Sequence, residues 1–330
     1  MTEKSDHPSQ HLSNPVEGVT PSEFRGIKDL MQAYEKMSFQ ARSLGKAAAL
    51  LSQMKSGNAF VVMTLAGALV PGGLRQTISD AISHKLVDAI VSTGANMSHD
   101  LVEGMGFHHY RRCAIKSDPD LKDAFIDRVY DTYLHEGSFV ETARKVQKHL
   151  HKLEGRTSAD ITKFLGSIAE NDCILKTAFE HDVPIFIPAL NDSEIGILMN
   201  QYNSWQKPED KINWDGLQDN MRFAELIKSK DICGTLICGG GVPRNWAQQV
   251  TPLLEYLHAE PGELEHKFGG YQYGILITTD TPVYGGMSGC TFSESISWGK
   301  YSDDSKYVTV NCDATIALPL IIGAAIESQK

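Results

Sequence analysis

The chain has 330 residues, 42% hydrophobic and 22% charged, with a net charge of −10 at pH 7. That length and composition suit an ordinary soluble α/β protein, and the acidic balance argues against a nucleic-acid partner, which would call for a basic surface. No window reaches the roughly 18 apolar residues of a membrane span, residues 1–20 resemble neither a signal peptide nor an anchor, and the six cysteines lack metal-type spacing. The expectation is therefore a cytoplasmic protein with free thiols, no metal and no membrane contact.

Residues 1–20 are rich in His, Ser, Pro and Asn and read as a flexible arm, leaving 21–330 as a single α/β domain. Pro21-Ser-Glu suits a helix start, and Ile27, Leu30, Met31, Tyr34, Met37 and Ala41 recur at three- and four-residue spacing. A second, Ala-rich helix is expected over 45–55. The apolar run 59–66 reads as a buried parallel strand with a Gly/Pro loop behind it (Gly67, Pro71, Gly72, Gly73). A helix is expected over 74–86, then a strand over 87–93 that ends in a polar loop, 94–100. The stretch from about 105 to 180 reads as mostly helical. Residues 183–190 form a strand whose two prolines place it at an edge or a strand end. Three further strands are expected, over 234–238, 273–279 and 307–312, with helices at 218–229, 245–258 and 318–326; Pro319 falls in the first turn of the last. Six strands alternating with helices predict a doubly wound, mostly parallel Rossmann-like sheet with helices on both faces. Ligands of such sheets bind outside the carboxyl ends of the strands.

Individual motifs leave alternatives open. Gly239-Gly-Gly241 after a strand permits either a tight turn or close approach to a phosphate. Asp192 and Asp313, each past a strand end, suit a ribose hydroxyl or a helix cap equally. His149 and His151 at i, i+2 face different sides of a helix, and His108-His109 is unspecific, so no metal site emerges. Ser288 in Gly285-Gly-Met-Ser-Gly289 only partly imitates a nucleophile elbow. Lys300 closes Glu294-Ser-Ile-Ser-Trp-Gly-Lys300, and a lysine kept partly from water beside an apolar Trp-Gly turn becomes a better nucleophile.

Together these segments resemble the deoxyhypusine synthase family, in order, from about residue 59 to residue 326. The specific parts are Gly72-Gly73-Leu-Arg75, Val87-Asp88, Thr93-Gly94, Asp100-Leu101 and the 183–190 strand with Asp192. They continue with Gly239 to Val242, Gly285 to Gly289, Glu294 to Lys300 and Asp313-Ala314. The resemblance implies an NAD-dependent transferase of aminoalkyl groups that oxidises a polyamine to an imine, carries the group as an imine on Lys300, and delivers it to an acceptor amine. It implies homotetramers with the site at a dimer interface. By position, NAD would touch Gly67, Ala68, Leu69, Thr93, Gly94, Ala95, Asp192, Gly240, Thr279, Ser288, Asp313 and Ala314. Glu294, Trp298, His99, Asn245 and Met287 would line the substrate site.

The departures lie in that substrate site. Where the family's amine tunnel carries carboxylates, this chain has Ser98-His99, Ile197 and Met287, and Asn245 replaces the family's His; Glu294 remains. A charge-assisted hydrogen bond contributes roughly 1.5–3 kcal/mol, so a tricationic ligand would be held far more weakly. The expected substrate is an altered polyamine or a guanidino-amine rather than spermidine with a translation-factor lysine. Asp280, Glu194, Glu103, His99 and Asn96 are candidate replacements for the lost groups. Authentic deoxyhypusine or homospermidine synthesis, and an NAD-binding protein without catalysis, are the alternatives.

Overall fold

The computed structural model describes residues 12, 14–113, 117–258 and 269–330, so most of the expected N-terminal arm lies outside the described residues. The end of that arm is tied down: Glu17 N donates to Lys36 O at 3.1 Å, and the two side chains pair at 2.9 Å.

Helices α1 (Ile27–Glu35) and α2 (Phe39–Ser56) lead to β1 (Phe60–Leu65), α3 (Arg75–Ser83), β2 (Ala89–Ser92) and α4 (Gly94–Gly104). The next segment holds β3 (Tyr110–Arg111), α5 (Asp118–Asp123), β4 (Ile126–Val129), β5 (Thr132–His135), α6 (Gly137–Gln147), α7 (Ser158–Ile168) and α8 (Ile174–Glu180). The chain continues through β6 (Ile185–Phe186), α9 (Glu194–Ser204), α10 (Gly216–Lys228), β7 (Cys233–Cys238), α11 (Gly241–Gln248) and α12 (Val250–His258). It ends with β8 (Tyr271–Thr278), α13 (Phe292–Ser297), β9 (Tyr301–Asn311) and α14 (Ala314–Glu327).

All six expected strands join one parallel sheet in the order β6-β2-β1-β7-β8-β9. Each central strand divides its side chains between two cores. Val61, Met63 and Leu65 of β1, Leu236 and Cys238 of β7, and Ile275 and Ile277 of β8 join one cluster, with residues of α2, α3 and α14. Val62, Ile237 and Leu276 join the other, with Phe223, Val250 and Phe292. Burial on both faces is why these strands read as unbroken apolar runs. Edge strand β6 has only two residues, consistent with its flanking prolines. Among the described residues no helix is long and apolar enough to cross a membrane.

Four expectations need correction, and one helix, α9, was not anticipated. Residues 94–100 are not a loop: Thr93 Oγ1 accepts from Asn96 N at 3.3 Å, and this cap starts α4 at Gly94. The middle segment carries an antiparallel sheet, β3-β5-β4, whose strands of two to four residues are too short to show a period. Helix α9 was masked by its polar start; Ser193 Oγ accepts from Gly196 N at 3.2 Å. Strand β9 begins at Tyr301, with an irregular stretch before it re-pairs at Lys306. Helix α14 begins at Ala314, so Pro319 lies in its second turn.

Two buried carboxylates cap buried helix starts. Asp219 accepts from Ser158 N at 3.0 and 2.8 Å ahead of α7. Asp100 accepts from Ile174 N at 2.9 Å and Leu175 N at 2.8 Å at the start of α8, and burial pushes its pKa up to about 6. The folded form therefore binds more protons than the unfolded chain between the ordinary value of 3.8 and about 6. Stability contributed by Asp100 falls as pH rises through that window. Replacing Asp100 by Ala orphans two buried N–H groups. Urea unfolding should show a loss of about 3 kcal/mol for Asp100→Ala, with the pH dependence between 4 and 6 flattened.

Candidate active site

Numbered by occurrence, the sheet order is 3-2-1-4-5-6, and the order in which strands are added reverses between β1 and β7 while the strands stay parallel. Ligands of such sheets bind outside the strand ends at that switch point. The loops after β1 and β7 meet there, pinned by Ala66 N donating to Cys238 O at 3.1 Å. Gly67 has φ +90° and open space where a side chain would stand. Asn96 Oδ1 accepts from Leu69 N at 3.1 Å and Val70 N at 3.4 Å, which fixes the turn through Gly67, Ala68 and Leu69 to the start of α4. Asn96 is thus occupied structurally and is not a free substrate group. Gly240 lies so close to Ser288 that a Cβ would sit 2.4 Å from its Cα.

Other candidate cofactor residues follow the carboxyl ends of their own strands. Thr93, Gly94 and Ala95 follow β2, Asp192 follows β6, Thr279 follows β8, and Asp313 and Ala314 follow β9. Because the sheet is parallel, these loops share one edge. Asp313 caps α14 through Oδ1, accepting from Thr315 N at 2.7 Å, so its second oxygen is the one available to a ligand. The Asp192 carboxylate makes no hydrogen bond among the described residues. Open backbone at Gly67 and a carboxylate at the strand edge fit a dinucleotide such as NAD.

Lys300 has a different setting. It follows α13 through Gly299, whose φ of +67° turns the chain, and Lys300 N donates to Ser295 O at 3.1 Å. The lysine is only 8% exposed. Its Nζ donates to Asn245 Oδ1 at 3.0 Å and lies 5.7 Å from the Trp298 ring centroid. No carboxylate pairs with it among the described residues. Burial, the largest cause, lowers its pKa from the usual 10.5; Cys290 and Glu294 oppose the shift and Arg244 adds to it. Trp298 itself is 63% exposed, so its ring borders the lysine instead of enclosing it.

Arg244 was not singled out from sequence, because a lone Arg on a helix reads as a surface charge. It is fully buried, donating to Met287 O at 3.0 Å and Cys290 O at 2.9 Å. It thereby fastens the 287–290 turn, with Met287 and Ser288, to α11 beside Asn245. Lys300, Asn245, Trp298, Glu294 and Met287 thus form one neighbourhood. His99 stands apart on α4, bonded to His109, and no contact joins it to Lys300 among the described residues. Glu103 is engaged by Arg75 at 2.6 Å and His109 at 2.6 Å. Glu194 and Asp280 remain near solvent. Burial raises the Glu194 pKa, with Asp127 and Glu136 adding to the rise. Among the described residues no cluster of His, Cys, Asp and Glu could hold a metal.

Comparison with known proteins supports the family seen in these motifs. The deoxyhypusine synthase family model matches residues 29–325. A protein of Archaeoglobus fulgidus named "Probable deoxyhypusine synthase 2" is 38% identical, covering 89% of this chain and 96% of its own. A "Deoxyhypusine synthase-like protein" of Chlorobaculum parvum is 32% identical over 100% of this chain and 94% of its own. A crystal structure from Entamoeba histolytica, assigned as a deoxyhypusine synthase, superposes with a TM-score of 0.61 at 16% identity, covering 94% of this chain and 96% of that one, and supports the fold. From its sequence and its fold, this chain belongs to the deoxyhypusine synthase family.

Proposed function

We propose that this protein is an NAD-dependent aminoalkyl transferase in which Lys300 is the imine-forming nucleophile, acting on an amine other than spermidine. The observation that carries the reading is the Lys300 environment: a buried amine, its pKa lowered by desolvation, held by the neutral Asn245 amide with no counter-ion among the described residues. A carboxylate partner would stabilise the ammonium form; an amide oxygen orients the amine without doing so to the same degree.

When bound, NAD supplies two-electron oxidation of the donor amine and the later reduction. Residues 67–69 and 93–95, with Gly240, Thr279, Asp192 and Asp313, hold it at the strand edge. Lys300 displaces the departing amine and carries the aminoalkyl group as its own imine, and an acceptor amine then removes the group. Trp298 covers the aliphatic stem, and Glu294 at the start of α13 places negative charge near the cationic end. The site lies between subunits of a homo-oligomer. In favour of this, Lys300 precedes β9 while Asp313 follows it. The paired strand β8 has eight residues, which at ~3.3 Å per residue separates the two backbones by about 23 Å within one chain.

A second reading, authentic deoxyhypusine synthesis, is favoured by the names of the relatives. The two readings differ in donor. Release of diaminopropane from spermidine supports the second, whereas NAD reduction and adduct formation with agmatine or a diamine, but not spermidine, support the first.

Borohydride added during incubation with NAD and an amine panel should fix substrate mass to Lys300, read by peptide mass spectrometry. An adduct that persists in Lys300→Ala would overturn the assignment. Adduct formation should rise with pH and level off below the ordinary lysine value of 10.5, since the lowered pKa enlarges the free-amine fraction. Glu294→Gln, by removing an influence that raises the pKa, should move that plateau lower. Mixing inactive Lys300→Ala with inactive Asp192→Ala should restore activity to roughly a quarter of wild type if each site draws on two subunits, because half of randomly exchanged dimers are mixed and carry one intact site. No recovery after confirmed subunit exchange would place the whole site in one chain.

A further inference from the structure

We propose that the start of α6 forms, with His108, Tyr110, His135 and Arg144, a binding site for a small phosphate monoester. None of these residues is among the cofactor or substrate positions described above, so the inference stands apart from the transferase reading.

The site is a cavity of about 560 Å³ between residues 106–110, the end of β5 and the first turns of α6. That volume lies within the range of small-molecule pockets. A helix start leaves N–H groups without an intrahelical partner. In α6, a helix of 11 residues, Gly137 N donates to His135 Nδ1 at 2.9 Å and Phe139 N to Glu136 O at 3.1 Å. Between them, Ser138 N makes no hydrogen bond among the described residues, and Ser138 lines the cavity.

The Ser138 side chain repeats the pattern. The residue is only 7% exposed, yet its hydroxyl has no hydrogen-bond partner among the described residues. A buried hydroxyl is costly until a partner satisfies it. Opposite stands His135. Its Nδ1 accepts from a backbone N–H, which can only donate, so the ring proton is on Nε2 and is offered as a donor. His108 carries at least one ring N–H in any form and Tyr110 carries a hydroxyl; both side chains are exposed at the rim. Arg144 supplies the charge. Its Nη1 pairs with Glu141 Oε1, the one carboxylate lining the cavity, and its other N–H groups have no partner among the described residues. Glu136, at the helix cap, makes no cap hydrogen bond and does not line the cavity.

The polar groups that converge here are therefore nearly all donors. A cationic amine would meet one carboxylate, already engaged by Arg144. An oxyanion meets the free N–H and the positive end of the helix dipole together, and a phosphate group presents several terminal oxygens to N–H and O–H donors at once. The rest of the cavity has a different character: Phe107 and Val140 form an apolar wall beside the Tyr110 ring. A phosphate monoester with a small apolar or aromatic body covers both parts, whereas inorganic phosphate leaves the wall bare and an uncharged aromatic leaves the donors unmet.

Calorimetry on the full chain tests this with phenyl phosphate, inorganic phosphate and phenol as probes, each with and without saturating NAD. Phenyl phosphate should bind more tightly than either fragment, and NAD should leave its affinity unchanged. Ser138→Ala and Arg144→Gln should each weaken it by about tenfold, the effect of one charge-assisted hydrogen bond. Glu141→Gln should strengthen it by releasing Arg144. Displacement of phenyl phosphate by NAD, an affinity unchanged within about twofold in both weakening variants, or no saturable binding up to about 10 mM would each overturn the proposal. Should Ser138→Ala fail to fold, the exposed pair Arg144 and Glu141 gives the same decision, because their two variants must move the affinity in opposite directions. Borohydride trapping on Lys300 does not depend on this cavity, so failure here leaves the transferase reading standing, and failure there leaves this site to be judged by its own affinities.

Discussion

Burial of both faces of the parallel sheet is the constraint on which everything else depends. Side chains at alternate positions of β1, β7 and β8 enter opposite cores, so the central strands offer no wet face for chemistry. Polar function is confined to loops at the strand ends and to helix starts beside them. The short edge strand β6 and the close turns at Gly67 and Gly240 follow from the same geometry. So do the buried Asp100 and Asp219, which must satisfy helix N–H groups that water cannot reach.

This explains which features were legible in the sequence. The central strands could be read because double burial makes each an apolar run, whereas edge strand β9 was legible only over its apolar end, 307–312. Their order could not be read, since it depends on which helix crosses which face. Helix α4 was taken for a loop because Asn96, Ser98 and His99 look polar, whereas its cap and the pairing of Ser98 Oγ with Ile195 N bury that surface. Strands β3, β4 and β5 left no signal because two to four residues cannot display a period.

The site was legible to a comparable degree. Lys300 stood out by its Trp-Gly turn, and its contact with Asn245, 55 residues away in sequence, turned a suggestive motif into a neighbourhood. Arg244 and His109 were hidden for opposite reasons. An arginine in a helix reads as solvated charge, yet this one holds the 287–290 turn through two carbonyls. Adjacent histidines read as unspecific, yet His109 links α4 to its own carboxylate, Glu103. Such roles arise from packing between distant segments, which residue type and spacing do not encode.

The substitutions around the site share one electrostatic direction. Asn245 meets Lys300 Nζ, and the family resemblance implies that His99, Ile197 and Met287 stand at positions where the amine tunnel carries carboxylates. A carboxylate beside an amine stabilises the ammonium ion and raises its pKa, which favours binding and opposes the deprotonation that imine formation requires. Neutral acceptors reverse that balance: they orient nitrogen lone pairs and N–H groups while leaving the amine free to lose its proton. Glu294 and Glu194, both near water, remain to attract a cation without surrounding it. On the proposed function, a pocket so arranged would bind polycations weakly and suit an amine with one strongly charged end, because only that end finds a counter-charge while the reacting nitrogen is held in neutral company.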